Sequence, residues 1–156
     1  MAGKLRDEIK QQKAFRSAEE EAFLNLLRTA DTLMQGIATV LKPAKLSPAQ
    51  YNALRILRGA GAGGLGCRAI AERMITRDPD ITRLLDRLES RKLVTRSRGR
   101  IDRRVVTTRV TAAGLRLLGR LDAAVDQVHK AQLGHMDDNQ LVAIIDLLEK
   151  ARQKKM

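Results

Sequence analysis

One stretch, residues 65–111, restricts what this chain can fold into more than any other. Within it, residues 80–91 read Asp-Ile-Thr-Arg-Leu-Leu-Asp-Arg-Leu-Glu-Ser-Arg. Ile81, Leu84, Leu85 and Leu88 recur at i, i+3, i+4 and i+7, so a helix over this segment buries them along one stripe. Thr82, Arg83, Asp86, Arg87, Ser90 and Arg91 then occupy the opposite face. Directly afterwards, residues 93–110 form two short β-branched runs joined by an arginine-rich tip centred on Gly99, which is a hairpin signal. Upstream, residues 67–74 make a short helix with Ile70, Ala71 and Met74 inward, followed by a turn at residues 75–78. Asp78 and Pro79 read as the cap and first position of the second helix. Two short helices joined by a tight turn, with a cationic hairpin beside the second, make a winged helix-turn-helix pattern.

Charge supports a polyanion partner. The chain of 156 residues carries a formal net charge of +12. Between residues 91 and 110 there are eight basic residues and one acid, so more than half of the excess lies in the hairpin and its approach. A merely solvated basic surface is the alternative, and clustering beside a helix-turn-helix argues against it. Hydrophobic residues make up 44 %, enough for a folded core. A single cysteine rules out an intrachain disulfide framework and suits a reducing compartment. The first residues are charged from Lys4 and lack the apolar core of a secretory signal, and no apolar run reaches the ~20 residues a bilayer span needs. The expected location is the cytoplasm.

The flanks read as helices. Residues 4–16, with Leu5, Ile9 and Phe15 as scattered apolar points, form either a weak helix or a frayed arm. Ser17 to Glu20 fits a capping box, and an apolar helical period then runs from Phe23 to Leu41 until Pro43 stops it. A helix from Ala18 to Lys42 is ~37 Å long at ~1.5 Å per residue, longer than one small winged domain can cover. The simplest cover for the surplus is the same helix of a second subunit. Ser47-Pro-Ala-Gln50 starts another helix, with Tyr51, Leu54 and Leu57 inward, ending at Gly59. After the hairpin, Thr111 caps a helix in which Leu115, Leu118, Leu121, Val125 and Val128 keep the period. Asp137 to Gln140 repeats the capping-box pattern before Leu141, Ile144, Ile145 and Leu148. Lys150, Arg152, Lys154 and Lys155 suit the negative end of that last helix.

Three features invite other readings. Residues 59–66 formally contain G-x-G-x-x-G at Gly59, Gly61 and Gly64, but a helix precedes it and no parallel-sheet pattern surrounds it, so it reads as a flexible turn. Cys67 stands near a helix start, where a dipole can activate a thiol, yet a small buried residue is the simpler role. His129 and His135 are six apart, a poor spacing for one helical face, and no metal-binding motif accompanies them. No nucleophile with a base and orienter is visible, so an enzyme is not expected.

Four ordered stretches resemble the MarR family of bacterial transcriptional regulators: Leu46-Ser-Pro-Ala-Gln-Tyr-Asn-Ala-Leu54; Ile70-Ala-Glu-Arg-Met74; Ile81-Thr-Arg-Leu-Leu-Asp-Arg-Leu-Glu89 with Leu93, Val94 and Arg96; and Asp102-Arg-Arg104 running to Val110-Thr-Ala-Ala-Gly114. The Asp-Arg-Arg wing followed by Thr-x-x-Gly is the most specific. The family usually has glycine where this chain has Lys92, and its wing tip is commonly acidic where this one has Gly99 and Arg100. The resemblance implies a homodimer on a pseudo-palindromic double-stranded DNA operator, with the second helix in the major groove and the wing at the minor groove. Many relatives are repressors released by a small ligand, and others sense oxidants.

The expected fold is therefore mainly α with a small β-hairpin wing: an arm and dimerisation helix over 1–45, a winged helix-turn-helix over 46–111 and dimerisation helices over 112–156. Thr82 and Arg83, in the first turn of the recognition helix, are the base-reading candidates, since arginine pairs with guanine O6 and N7. Arg87 either reaches a base or phosphate or pairs with Asp86 or Glu89. Arg98 and Arg100 are phosphate candidates. Arg103 or Arg104 would enter the minor groove; the resemblance favours Arg104, with Asp102 steadying the wing. No cofactor or metal is called for, and a small-molecule effector is an expected partner whose pocket the sequence does not define. The rival readings are a nucleoid-type protein that binds DNA by charge alone and a redox-sensing regulator acting through Cys67.

Overall fold

The computed structural model describes residues 3–77 and 80–153. Seven helices and a three-stranded antiparallel sheet follow in the order α1 (Leu5–Glu8), α2 (Ala18–Leu41), α3 (Pro48–Ala60), β1 (Leu65–Gly66), α4 (Cys67–Arg73), α5 (Ile81–Ser90), β2 (Val94–Arg98), β3 (Val106–Val110), α6 (Ala112–Leu133) and α7 (Asp138–Arg152). Among these residues no helix is long and apolar enough to cross a membrane.

Caps set most helix starts. Ser17 Oγ accepts from the amide of Glu20, but the Glu20 carboxylate reaches past Ser17 to the amide of Arg16, so the expected reciprocal box is displaced by one residue. Around α3 and α7 the boxes are complete, Ser47 with Gln50 and Asp137 with Gln140. Pro43 ends α2 as expected, within a 3₁₀ turn at Lys42–Ala44. The Asp78 and Pro79 start signal lies outside the described residues; α5 as described takes Asp80 as its cap, whose carboxylate accepts from Arg83 N at 2.9 Å. The N-terminal segment forms a helical turn: Leu5 is buried, and the Arg6 guanidinium donates to the carbonyls of Gln11 and Gln12.

One core joins α3, α4, α5, the sheet and α6, around Leu54, Leu57, Ile70, Leu85, Leu88 and Leu118. Two inward assignments change. Ala71 is exposed, leaving Ile70 as the buried residue of α4, while Met74 packs half-buried against the core. On α6 the buried face is Gly114, Leu117, Leu118, Leu121 and Val125, while Leu115 is exposed. The stripe begins at a residue with no side chain to announce it. The glycine is required there, because a Cβ at position 114 would lie 2.4 Å from the Leu93 carbonyl oxygen.

The glycine-rich stretch is more ordered than a flexible turn. Its end, Leu65–Gly66, is strand β1, paired antiparallel with β3 at Leu65–Thr108 and Gly66–Thr107. Gly64 adopts a positive φ of +67°, open to glycine, and a Cβ there would meet the Thr108 carbonyl at 2.4 Å. The antiparallel sheet, ordered β1-β3-β2, contains no βαβ unit, so the G-x-G-x-x-G spacing here turns a corner.

The long flanking helices are poorly covered within one chain. Of α2 only Leu41 is buried, and Phe23, Leu26, Leu27 and Met34 stand exposed. No residue of α7 is buried, and Val142, Ile145 and Leu147 face outward. Where α2 does pack, against α6, Gln132 Nε2 donates to the Leu33 carbonyl beside Gly36.

Candidate nucleic-acid interface

Helix α5 buries Ile81, Leu84, Leu85 and Leu88, the stripe its sequence requires, and thereby presents Thr82, Arg83, Asp86, Arg87 and Ser90 outward. Arg83 and Arg87 lie one turn apart on this face, beside Ser47 and Gln50 at the start of α3. The helix ends in a Schellman arrangement: Lys92 N donates to the Glu89 carbonyl and Leu93 N to the Leu88 carbonyl. Lys92 sits at φ +57°, the left-handed conformation for which glycine is the unstrained choice. Its carbonyl accepts from Thr111 Oγ1 at 2.7 Å, and the same hydroxyl accepts from Gly114 N to cap α6. The Thr-x-x-Gly motif is thus a joint: threonine ties the end of α5 to the start of α6, and glycine lets the two backbones touch.

The wing is β2 and β3 in register from Val94–Val110 to Arg98–Val106. Its tip is braced internally. Gly99 N donates to the Val105 carbonyl, Val105 N to the Asp102 carbonyl, and Arg104 N to Asp102 Oδ1 at 2.9 Å. Asp102 therefore steadies the wing through a backbone amide and not through an arginine side chain. Arg98 Nη1 donates to the Arg103 carbonyl, so this phosphate candidate also serves as a strut.

Not all of the local cations face outward. Arg96 on β2 binds Glu89 through Nε, Nη2 and its own backbone amide, and Asp86 through Nη2. Hydrogen bonding to these carboxylates, Glu89 foremost, holds the guanidinium protonated beyond its usual range and holds the Glu89 carboxyl below the ordinary carboxylate value. This clamp fixes the wing relative to α5. Arg91 donates to the carbonyls of Ala44 and Lys45, and Arg109 to the Ala62 carbonyl and Ser97 Oγ. Sequence reasoning placed Arg91 on the outward face of the helix and Arg96 in the family motif, and counted all three in the basic excess without a partner. The signal for Arg96 was present in Asp86 and Glu89, two acids three apart in a segment otherwise rich in arginine.

With both carboxylates engaged by Arg96, Arg87 has neither of its expected intrachain partners. Among the described residues, the side chains of Arg83, Arg87, Arg100, Arg103 and Arg104 make no ion pair, and all five are exposed. The structure leaves Thr82 and these arginines on one helix face and one hairpin tip held together by the clamp.

The MarR family sequence profile matches residues 46–106, from the start of α3 to the beginning of β3. A MarR transcription factor from Planctomyces limnophilus is 43 % identical, with 87 % of this chain and 98 % of that one covered and a TM-score of 0.68. The chain belongs to the MarR family. CouR from Rhodococcus jostii, solved bound to p-coumaroyl-CoA, is 26 % identical over 91 % of this chain and 99 % of its own, with a TM-score of 0.74. The HTH-type transcriptional regulator FarR of Neisseria gonorrhoeae is 26 % identical across 125 residues, 80 % of this chain and 84 % of that protein. As a MarR-family protein this chain is a DNA-binding transcription regulator and not an enzyme.

A second concave feature lies between α3 and α6. It is a cleft of about 450 Å³ lined by Tyr51, Arg55, Asp122, Val125, Asp126 and His129. Arg55 stands over the Tyr51 ring, 5.9 Å from its centroid, and burial raises the phenol's pKa. Arg58 holds Asp122 at 3.0 Å on the cleft's edge. Among the described residues no group of three or more His, Cys, Asp or Glu side chains is placed to hold a metal ion. Cys67, expected to be buried, is exposed: it is the first residue of α4, and only Ile70 of that helix reaches the core.

Proposed function

We propose that this regulator is a homodimeric, sequence-specific repressor that reads a pseudo-palindromic operator in double-stranded DNA and is released by a small ligand. The observation that carries the reading is the set of exposed cations that make no ion pair among the described residues, Arg83 and Arg87 on α5 and Arg100, Arg103 and Arg104 on the wing, placed beside one another by Arg96. Thr82 and Arg83 read base edges in the major groove, with Arg87 a turn behind. Arg98 and Arg100 contact phosphates, and Arg104 or Arg103 enters the minor groove, with Asp102 shaping the tip. Residues 46–111 act as the reading unit. The uncovered faces of α2 and α7 support residues 1–45 and 112–156 as the dimer-forming parts, since two copies hide Phe23, Leu27 and Ile145 at once. The cytoplasm is the compartment in which such a protein meets its operator.

The cleft between α3 and α6 is the effector site in this reading. Its size suits a small molecule, and CouR provides a family precedent for ligand binding. A ligand there would press on α3 and α6, which position α5 and the two-fold axis respectively, and so shift the spacing of the two recognition helices.

Two substitutions test the division of labour. Arg83→Ala should cost about 1–3 kcal/mol on the preferred operator and relax base preference at one position in each half-site. Arg100→Ala should weaken all sequences alike and flatten the salt dependence by about one unit per wing. Equal, sequence-blind losses from both would instead support a nucleoid-type protein that binds by charge.

A further inference from the structure

At the end of the wing, in the middle of its arginines, stands an aliphatic side chain with no contact to its own protein. Ile101 is fully exposed, at 104 % of its reference area, and Val105 beside it is 52 % exposed. The exposure follows from the tip's construction. The bonds from Gly99 to Val105, from Val105 and Arg104 to Asp102, and from Arg98 to Arg103 close the loop on itself beneath Ile101. Gly99 packs so close that a Cβ there would lie 2.6 Å from the Asp102 carbonyl, so the tip is tightly closed, and Ile101 stays outside it.

A partner that accepts Ile101 must also accept Arg100, Arg103 and Arg104, which have no ion pairs among the described residues. An apolar protein surface fails that condition, because it would bury three cations with no counter-charge. A DNA minor groove meets it: phosphates line both rims, while the sugar walls and base edges between them take an apolar group. Proteins that bind there commonly insert such a group between base pairs, unstacking the step and bending the duplex.

We propose that Ile101 is an apolar wedge that enters the minor groove alongside Arg103 or Arg104, next to the phosphate-bound Arg100, and partly unstacks one flexible pyrimidine–purine step in each half-site. The proposal rests on the DNA-reading function above. It adds a specificity determinant that makes no hydrogen bond, because a step that unstacks easily costs the protein less to deform.

The test starts from the duplex that the full-length protein enriches from a random-sequence pool. 2-Aminopurine placed at successive steps in the flanks reports unstacking, and energy transfer between dyes on the duplex ends reports bending. With the unaltered protein, fluorescence should rise at one step on each side. Ile101→Ala should abolish that rise, straighten the duplex and weaken binding about tenfold, while Ile101→Met restores all three. The melting temperature should not move, since the side chain touches nothing in the protein. Unchanged fluorescence, bend and affinity in Ile101→Ala would overturn the wedge, and so would a loss of affinity with the bend intact. Failure of the unaltered protein to enrich any shared sequence would overturn the DNA-reading function itself, a result distinct from either.

Discussion

Replacing Arg96 with methionine tests whether the wing and the recognition helix act as one rigid reader. Methionine keeps the apolar stem and removes the guanidinium, so the change isolates the clamp from packing. The guanidinium side chain is 23 % exposed and its partners Asp86 and Glu89 are 53 % and 40 % exposed. Breaking a buried pair costs about 3–5 kcal/mol because the abandoned charge stays dry; exposed pairs contribute about 0–1 kcal/mol. Here the two carboxylates can rehydrate, while three charge-assisted bonds to a half-sheltered cation are lost, so about 1–2 kcal/mol is expected. At fixed protein concentration that corresponds to a melting temperature lower by about 3–6 °C. DNA affinity should fall further than stability, by about tenfold, because two unneutralised carboxylates then lie beside Arg83 and Arg87 and the wing is free to swing. The assay is urea unfolding and duplex binding for Arg96→Met, Glu89→Gln and the double variant. A coupling energy near zero between positions 89 and 96, with affinity unchanged, would refute the reasoning.

Three further outcomes follow from the joints around the reader. Lys92→Gly should stabilise the protein by about 0.5–1 kcal/mol in urea unfolding, since it relieves left-handed backbone strain of about 1–2 kcal/mol and gives back part of it as unfolded-chain entropy; a loss of stability would contradict the role assigned to its φ of +57°. Gly114→Ala should destabilise by about 1–3 kcal/mol despite alanine's better helix propensity, because the new methyl must displace the Leu93 backbone; a stabilised protein would show that α6 can shift away. The Glu89 carboxyl, depressed by Arg96, contributes stability that is present above its unfolded pKa of about 4.3 and lost as pH falls through its lower folded value. The stability difference between the unaltered protein and Glu89→Gln should therefore be flat from about pH 5 to pH 7 and shrink progressively as the pH falls below about 4.3, until Glu89 is protonated in the folded protein as well. A difference that grew on acidification would have the wrong sign.

Local rules made much of this fold legible. The α5 stripe, the caps of α3, α6 and α7, and the stop at Pro43 each depend on residues within a turn of one another, and each is where the pattern puts it. What depended on distant partners was harder to read. Strand β1 is two residues long and owes its existence to β3, some forty residues away. The inward face of α6 begins at Gly114, so a count that starts from Leu115 rotates the helix. Cys67 reads as a buried small residue until Gly66 takes the cap and turns its side chain to solvent. At the interface, residue types identified the cations but not their duties. Arg91, Arg96 and Arg109 look like Arg83 and Arg87 in sequence, and only the fold shows which guanidinium groups hold the protein together.

The central claim is selective reading of DNA, and capture of fragmented genomic DNA by the purified protein at near-physiological salt tests it most directly. Sequencing the bound pool should return a few fragments that share an inverted repeat, with half-site centres one helical turn, about 34–36 Å, apart to match two recognition helices. A bound pool indistinguishable from the input would contradict the claim and leave a protein that holds DNA by charge alone.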